Sequence, residues 1–230
     1  MSKTNFFVVI GLLLLAAVAV APDAHAKSFM EAVITDGGAI GWVIILLSVA
    51  TVALIIEYSV NVRADKICPP EIIDEVEALL EEDDYQEALE LCESEPNFVT
   101  RSLAAGLPRI NEGYLAVKES VEATASIEAV KLQQKIGWML FISNVAPMLG
   151  LFGTVYGMIE AFNVIVEKGA NLGPADLAGG ISAALVTTFL GLFVAIPAVA
   201  AYQFFRNKAT RISIHFADVL EEMIERFRGK

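Results

Sequence analysis

The sequence predicts an all-α membrane protein with three transmembrane helices and long cytoplasmic helical extensions. Composition is the first reason. The chain is 56% hydrophobic and only 19% charged, with a mean hydropathy of +0.60, far too apolar for a soluble globule of this size. Three long apolar stretches are the second. Residues 40–60 hold one charged group, Glu57, near their end; residues 136–162 hold only Glu160, also near the end; residues 180–202 hold none. A hydrocarbon core of ~30 Å needs ~20 helical residues at ~1.5 Å each, and every stretch meets that length.

Residues 1–26 have the three parts of a secretory signal. Lys3 supplies the basic start, residues 6–20 an apolar run, and Ala24-His25-Ala26 a cleavage site that leaves Lys27 as the mature N-terminus. The alternative is a retained short helix. Pro22 and Asp23 interrupt the run and argue against it. Cleavage after Ala26 places residues 27–39 in the periplasm, so the first transmembrane helix, 40–60, runs inward. The basic residues agree. Arg63 and Lys66 follow the first span, Lys131 and Lys135 precede the second, and Arg206, Lys208 and Arg211 follow the third. By the positive-inside rule, residues 61–135 and 203–230 are cytoplasmic. The connection 163–179, with a single Lys, is periplasmic.

The cytoplasmic segment 61–135 reads as helical. Ile72, Ile73, Val76, Leu79 and Leu80 form one amphipathic set, and Tyr85, Ala88, Leu89 and Cys92 a second after the break at Asp83-Asp84. Between Lys66 and Arg101 the chain carries acidic residues and no Lys or Arg, within a net charge of −12. That block is the solvated face of a helical hairpin, and it would repel phosphate backbones, which excludes nucleic acid as a partner. Pro96 and Asn97 end the hairpin. Helix formers then dominate from Glu112 to Lys135, so the second membrane helix extends into the cytoplasm. In the tail, Ile212, Phe216, Val219, Met223 and Phe227 recur at helical spacing. Such a stripe must pack on the loop helices or on a neighbouring subunit. Cys68 and Cys92 are too few for a disulfide scaffold and too sparse for a zinc site; no metal and no cofactor is expected.

In lipid, helices associate through small residues that let backbones approach. The second span has Ser143, Pro147, Gly150, Thr154, Gly157 and Ala161 at spacings of three and four, with Gly153 beside them; the third has Ala184, Thr188, Gly191, Ala195 and Ala198. Gly150, Gly153, Gly157 and Gly191 are packing positions. Pro147 and Pro197 either fix a kink for packing or loosen the helix by freeing a carbonyl. Counted from the ends of their stretches, Thr154 and Thr188 both lie eight residues in, ~12 Å below the outer boundary. A lone helical threonine most often caps a carbonyl one turn back. Two at one depth on small faces point to a hydroxylated lining for an ion or a partner. Thr187 and Ser182 fall off the stripe and are weaker candidates. No carboxylate or histidine stands in mid-membrane, where an ion carrier normally has one. Either the chain moves no ions, or a partner brings the ionisable group to the threonines.

Two runs resemble the ExbB/TolQ/MotA proton-channel family. One is Ala146-Pro147-Met148-Leu149-Gly150-Leu151-Phe152-Gly153-Thr154-Val155-Tyr156-Gly157-Met158. The other is Gly180-Ile181-Ser182-Ala183-Ala184-Leu185-Val186-Thr187-Thr188-Phe189-Leu190-Gly191-Leu192, continued by Val194-Ala195-Ile196-Pro197-Ala198. A weaker likeness lies in Ser102-Leu103-Ala104-Ala105-Gly106-Leu107. Three spans with the large loop between the first two resemble ExbB and TolQ rather than MotA, which has four. The resemblance implies a homopentamer around single-span ExbD- or TolR-like partners, each bringing a membrane aspartate. It also implies that the family's pore threonines fall on Thr154 and Thr188. Many ExbB and TolQ proteins have Glu where this chain has Ala183.

The expected function is therefore that of an inner-membrane subunit of a motor driven by the proton-motive force. A stand-alone channel or transporter would call for interrupted helices or an internal charge. A structural scaffold would need the small stripes alone. No enzyme is expected: His215 has no nucleophile pattern around it and reads as an interfacial side chain.

Overall fold

A computed structural model describes residues 37–229. The expected signal segment 1–26, its cleavage between Ala26 and Lys27, and residues 27–36 lie outside the described residues. Among the described residues the chain is helical throughout and has no strand. It divides into two compact units. One combines the described part of Met1–Ala53 with Met139–Ala200; the other combines Leu54–Trp138 with Ala201–Lys230.

Three helices are long and apolar enough to cross a membrane. They are α1, Gly38–Asn61; α6, Tyr114–Lys168; and α7, Pro174–Glu225. These carry the three apolar stretches read from the sequence. α6 is continuous from the polar loop into its apolar part, as the run of helix formers predicts. It starts two residues later than Glu112, because Gly113 adopts a φ of 100° that ends the preceding 3-10 turn, Leu107–Glu112. Both long helices run through an internal proline, Pro147 and Pro197. Each proline lacks the N–H that the carbonyl four residues earlier would accept.

In the second unit four short helices precede α6: α2, Ala64–Ile67; α3, Pro70–Glu81; α4, Tyr85–Ser94; and α5, Phe98–Gly106. Local chemistry sets their limits. Pro70 opens α3 at a position where the missing N–H costs nothing. Asp83, at φ 60°, takes the left-handed turn that stops it, and the Asp84 carboxylate accepts from Glu87 N at 3.1 Å to start α4. Asn97 caps α5 in a reciprocal pair with Thr100: its Oδ1 accepts from Thr100 N at 3.0 Å, and Asn97 N donates to Thr100 Oγ1 at 2.8 Å.

The hairpin α3–α4 buries Val76, Leu80, Ala88 and Cys92 and leaves its acidic residues exposed apart from half-buried Glu77. This is the solvated face that periodicity predicted. The tail stripe packs on these loop helices of its own chain. Ile212, Phe216, Met223 and Phe227 are buried; Phe216 meets Phe98 at 5.4 Å between ring centroids, and Phe227 meets Tyr85 at 5.6 Å. Arg226 bonds Glu81 at 2.8 Å and also Glu77, and the Glu81 bond pushes the guanidinium further toward its charged form. Gly106 explains the weaker motif: a Cβ there would stand 2.5 Å from Val121 Cγ2 and 3.2 Å from Val117 O on α6. α5 can lie against α6 only because that position has no side chain.

Candidate functional site

Within the first unit, α6 and α7 lie antiparallel with their backbones nearly in contact. A Cβ on Gly157 would stand 2.6 Å from Gly180 O, and one on Gly191 would stand 2.6 Å from Ala146 O. A Cβ on Gly150 would stand 3.0 Å from Thr187 O and 3.1 Å from the Thr188 Cα, and one on Gly153 would meet the Thr187 side chain. Gly150, Gly153, Gly157 and Gly191 are all buried. At these four positions α6 and α7 of one chain approach closely enough that a side chain would clash.

This register decides where each threonine sits. The packed seam runs through Ala146, Gly150, Gly153 and Gly157 on one helix and through Ala184, Thr187 and Gly191 on the other. Thr187, the weaker candidate by spacing, lies at the centre of the seam and is 3% exposed. Its hydroxyl donates to Ala183 O and Ala184 O at 3.1 and 3.0 Å. Thr154 and Thr188 lie at the edge of the seam and are half-buried. The two are also not level. Thr188 is opposite Gly150, one turn from Thr154, so they differ in depth by about 6 Å at 1.5 Å per residue. Counting from the ends of hydrophobic stretches could not detect this offset, because those ends need not pair.

The hydroxyls differ in their bonds. Thr154 Oγ1 donates to Leu151 O on its own helix at 2.7 Å. Thr188 Oγ1 reaches Gly150 O across the pair and Ala184 O on its own helix, both at 3.3 Å. Two long bonds from one hydroxyl mark a group that can turn toward another acceptor. Pro147 and Pro197 are half-buried. From Ile136 to Ile159 and from Leu177 to Phe205, neither helix carries an acidic, basic or histidine side chain.

Toward the Lys168 end of α6, its residues and those of α7 join the first turn of α1 around a cleft of about 550 Å³. Tyr156, Glu160, Ala183 and Thr187 line it. Its carboxylate was legible as a boundary charge, but the cleft depends on three helices meeting. Between α6 and α7, the Asp176 carboxylate accepts from Lys168 Nζ and from Gly173 N, the latter at 2.8 Å. Those bonds, the lysine's first, hold Asp176 below the usual carboxylate range.

Residues 93–218 match the family described as the MotA/TolQ/ExbB proton channel family. The chain belongs to this family. The match takes in both helices of the pair and the close approach at Gly106. A biopolymer transport protein ExbB homolog of Methanothermobacter thermautotrophicus is 32% identical over 146 residues, 64% of this chain and 51% of the relative. TolQ of Haemophilus influenzae is 34% identical over 96 residues, 41% of each chain. ExbB of Neisseria gonorrhoeae is 47% identical over 79 residues, 34% of this chain and 35% of the relative. The chain thus spans about half the length of the first of these relatives and less of the other two. A solved structure of C. jejuni MotAB has a TM-score of 0.56 at 14% identity, covering 98% of this chain and 91% of that one; it shares the fold. As a MotA/TolQ/ExbB family member, the chain is a membrane protein whose family is a proton channel and not an enzyme class.

Proposed function

We propose that this chain is the larger, inner-membrane subunit of a motor driven by the proton-motive force. It energises transport or an envelope process through a single-span ExbD/TolR-like partner that brings a membrane Asp. Five copies form a ring around that partner. The spans are residues 40–60, 136–162 and 180–202. Residues 27–39 and 163–179 are periplasmic; residues 61–135 and 203–230 are cytoplasmic. Thr154 and Thr188 face the partner or the ion, and a threonine hydroxyl can serve a proton or a sodium ion.

One observation carries this reading. In a member of a proton-channel family, the helix pair has no charged group from Ile136 to Ile159 or from Leu177 to Phe205 and has two half-buried threonines at the edge of its seam. An ion path through such a pair needs a carboxylate from another chain. A second reading, a scaffold, draws on the bond from Thr154 to Leu151 O, which satisfies that hydroxyl within its own helix.

The test is isolation of the full-length chain from its native membranes in mild detergent, followed by native mass spectrometry. The expected species holds five copies and a companion with one span, a membrane Asp and a periplasmic domain. A stable monomer without a companion would contradict the proposal.

A further inference from the structure

At the inner end of α1, within the second unit, lies a cavity of about 660 Å³. Its lining is part apolar, with Leu54, Leu132 and Trp138, and part basic, with Lys66, Arg101, Lys131 and Lys135. Glu57 and Glu128 also line it, so four basic groups face two acidic ones and the lining is net positive by two. This is the reverse of the chain as a whole, whose net charge is −12.

The four cations are not equivalent. Arg101 and Lys131 converge on Glu128, at 3.3 and 2.6 Å, and neutralise that buried carboxylate. Lys66 and Lys135 have no carboxylate within ion-pairing distance among the described residues, and both are exposed. They come from the two chain segments that bracket the cavity, one just after α1 and one on α6. The α6 backbone there is tied to α1, because Tyr58 Oη donates to Lys135 O. Trp138 is 64% exposed beside the lysines, the placement of an interfacial aromatic.

We propose that this cavity binds an anionic phospholipid, with the headgroup phosphate held by Lys66 and Lys135 and an acyl chain along Leu54, Leu132 and Trp138. Basic pockets where membrane helices enter the cytoplasm suit anionic headgroups. The apolar residues in the lining favour a lipid over a free phosphate compound, which would have no use for them. The orientation proposed above is needed only to assign the lipid to the inner leaflet; binding itself does not depend on it.

The test uses the full-length protein, with any companion it carries, in mild detergent. Native mass spectrometry follows retention of phosphatidylglycerol, with phosphatidylcholine of the same acyl chains and glycerol phosphate as comparison probes. Wild type retains phosphatidylglycerol saturably, binds phosphatidylcholine far more weakly, and keeps its lipid in millimolar glycerol phosphate. Each of K66Q and K135Q weakens phosphatidylglycerol about fivefold and the double variant about 30-fold. K168Q, outside the cavity, changes nothing. Unchanged affinity in both single variants would overturn the site, as would equal binding of phosphatidylcholine, which marks annular lipid only. Displacement by glycerol phosphate would overturn the lipid assignment. Loss of oligomer size in K66Q or K135Q with lipid binding intact would instead assign the cavity to an acidic segment of a second copy.

Discussion

Replacing Gly191 with Ala tests the helix pair most sharply. The added Cβ would stand 2.6 Å from Ala146 O and 3.2 Å from the Gly150 Cα. Ordinary contacts of a carbon with a carbonyl oxygen begin near ~3.3 Å, so the backbones must part by about 0.7 Å. A gap of that size forfeits a quarter to a half of each lost dispersion contact. Helices in lipid have no hydrophobic effect to hold them together otherwise. Overpacking of this kind costs about 1–3 kcal/mol. Gly137 is the control: it is also helical, but a Cβ there meets nothing within 4 Å. Gly137→Ala should therefore gain up to ~1 kcal/mol of helix propensity. Gly191 is helical too, so that gain is common to both and the two variants should differ by the overpacking cost, about 1–3 kcal/mol, which for a chain of this size is roughly 2–12 °C in the midpoint of thermal unfolding. Heating in mild detergent followed by size-exclusion chromatography reads the difference. If Gly191→Ala survives heat as well as Gly137→Ala, the close backbone contact is not what holds α6 to α7.

Two predictions concern the second unit. Cys68 and Cys92 are 2% and 1% exposed, and burial pushes their thiols up to about 11 and about 12. At pH 8 a maleimide should label them at least 100-fold faster after denaturation than before, and equal rates would show that the hairpin core is open. Because the folded state holds these protons more tightly, their contribution is full below pH ~9 and is lost as pH rises through 11 to 12; the unfolding midpoint should fall across that window, and a flat profile would contradict the burial. Asn97→Ala removes the acceptor for Thr100 N and Val99 N and should cost about 1 kcal/mol, read as earlier thermal unfolding; no change would mean that water replaces the cap.

Most of the fold was legible because its signals are local. Apolar length marks α1, α6 and α7, and the spacing of Val76, Leu80, Ala88 and Cys92 marks the hairpin. The break at Asp83-Asp84 also falls where the chain turns. The site was legible only in part. Small residues at spacings of three and four identify a packing face to within one residue, or ~100° of helix rotation. That uncertainty is what separates Thr187 from Thr188. Only the antiparallel register, with Gly191 against Ala146 and Gly157 against Gly180, puts Thr187 in the seam and Thr188 at its edge. The tail stripe shows the same limit. Periodicity at Phe216 and Phe227 required a partner surface, but that the surface is Phe98 and Tyr85 of the same chain depends on tertiary contacts.

Proton influx into cells that co-express the chain with its single-span companion, followed by a cytoplasmic pH-sensitive fluorescent protein, tests the proposed mechanism directly. A hydroxyl that serves a charged group contributes about 1.5–3 kcal/mol, or one to two decades in rate. Thr154→Val and Thr188→Val should each lower influx at least tenfold while native mass spectrometry shows the assembly intact. Thr187→Val should stay within about twofold, since it keeps the shape of the seam and loses only bonds to carbonyls of its own helix. Full influx in both Thr154→Val and Thr188→Val would contradict the ion-path role and leave the two threonines as packing residues.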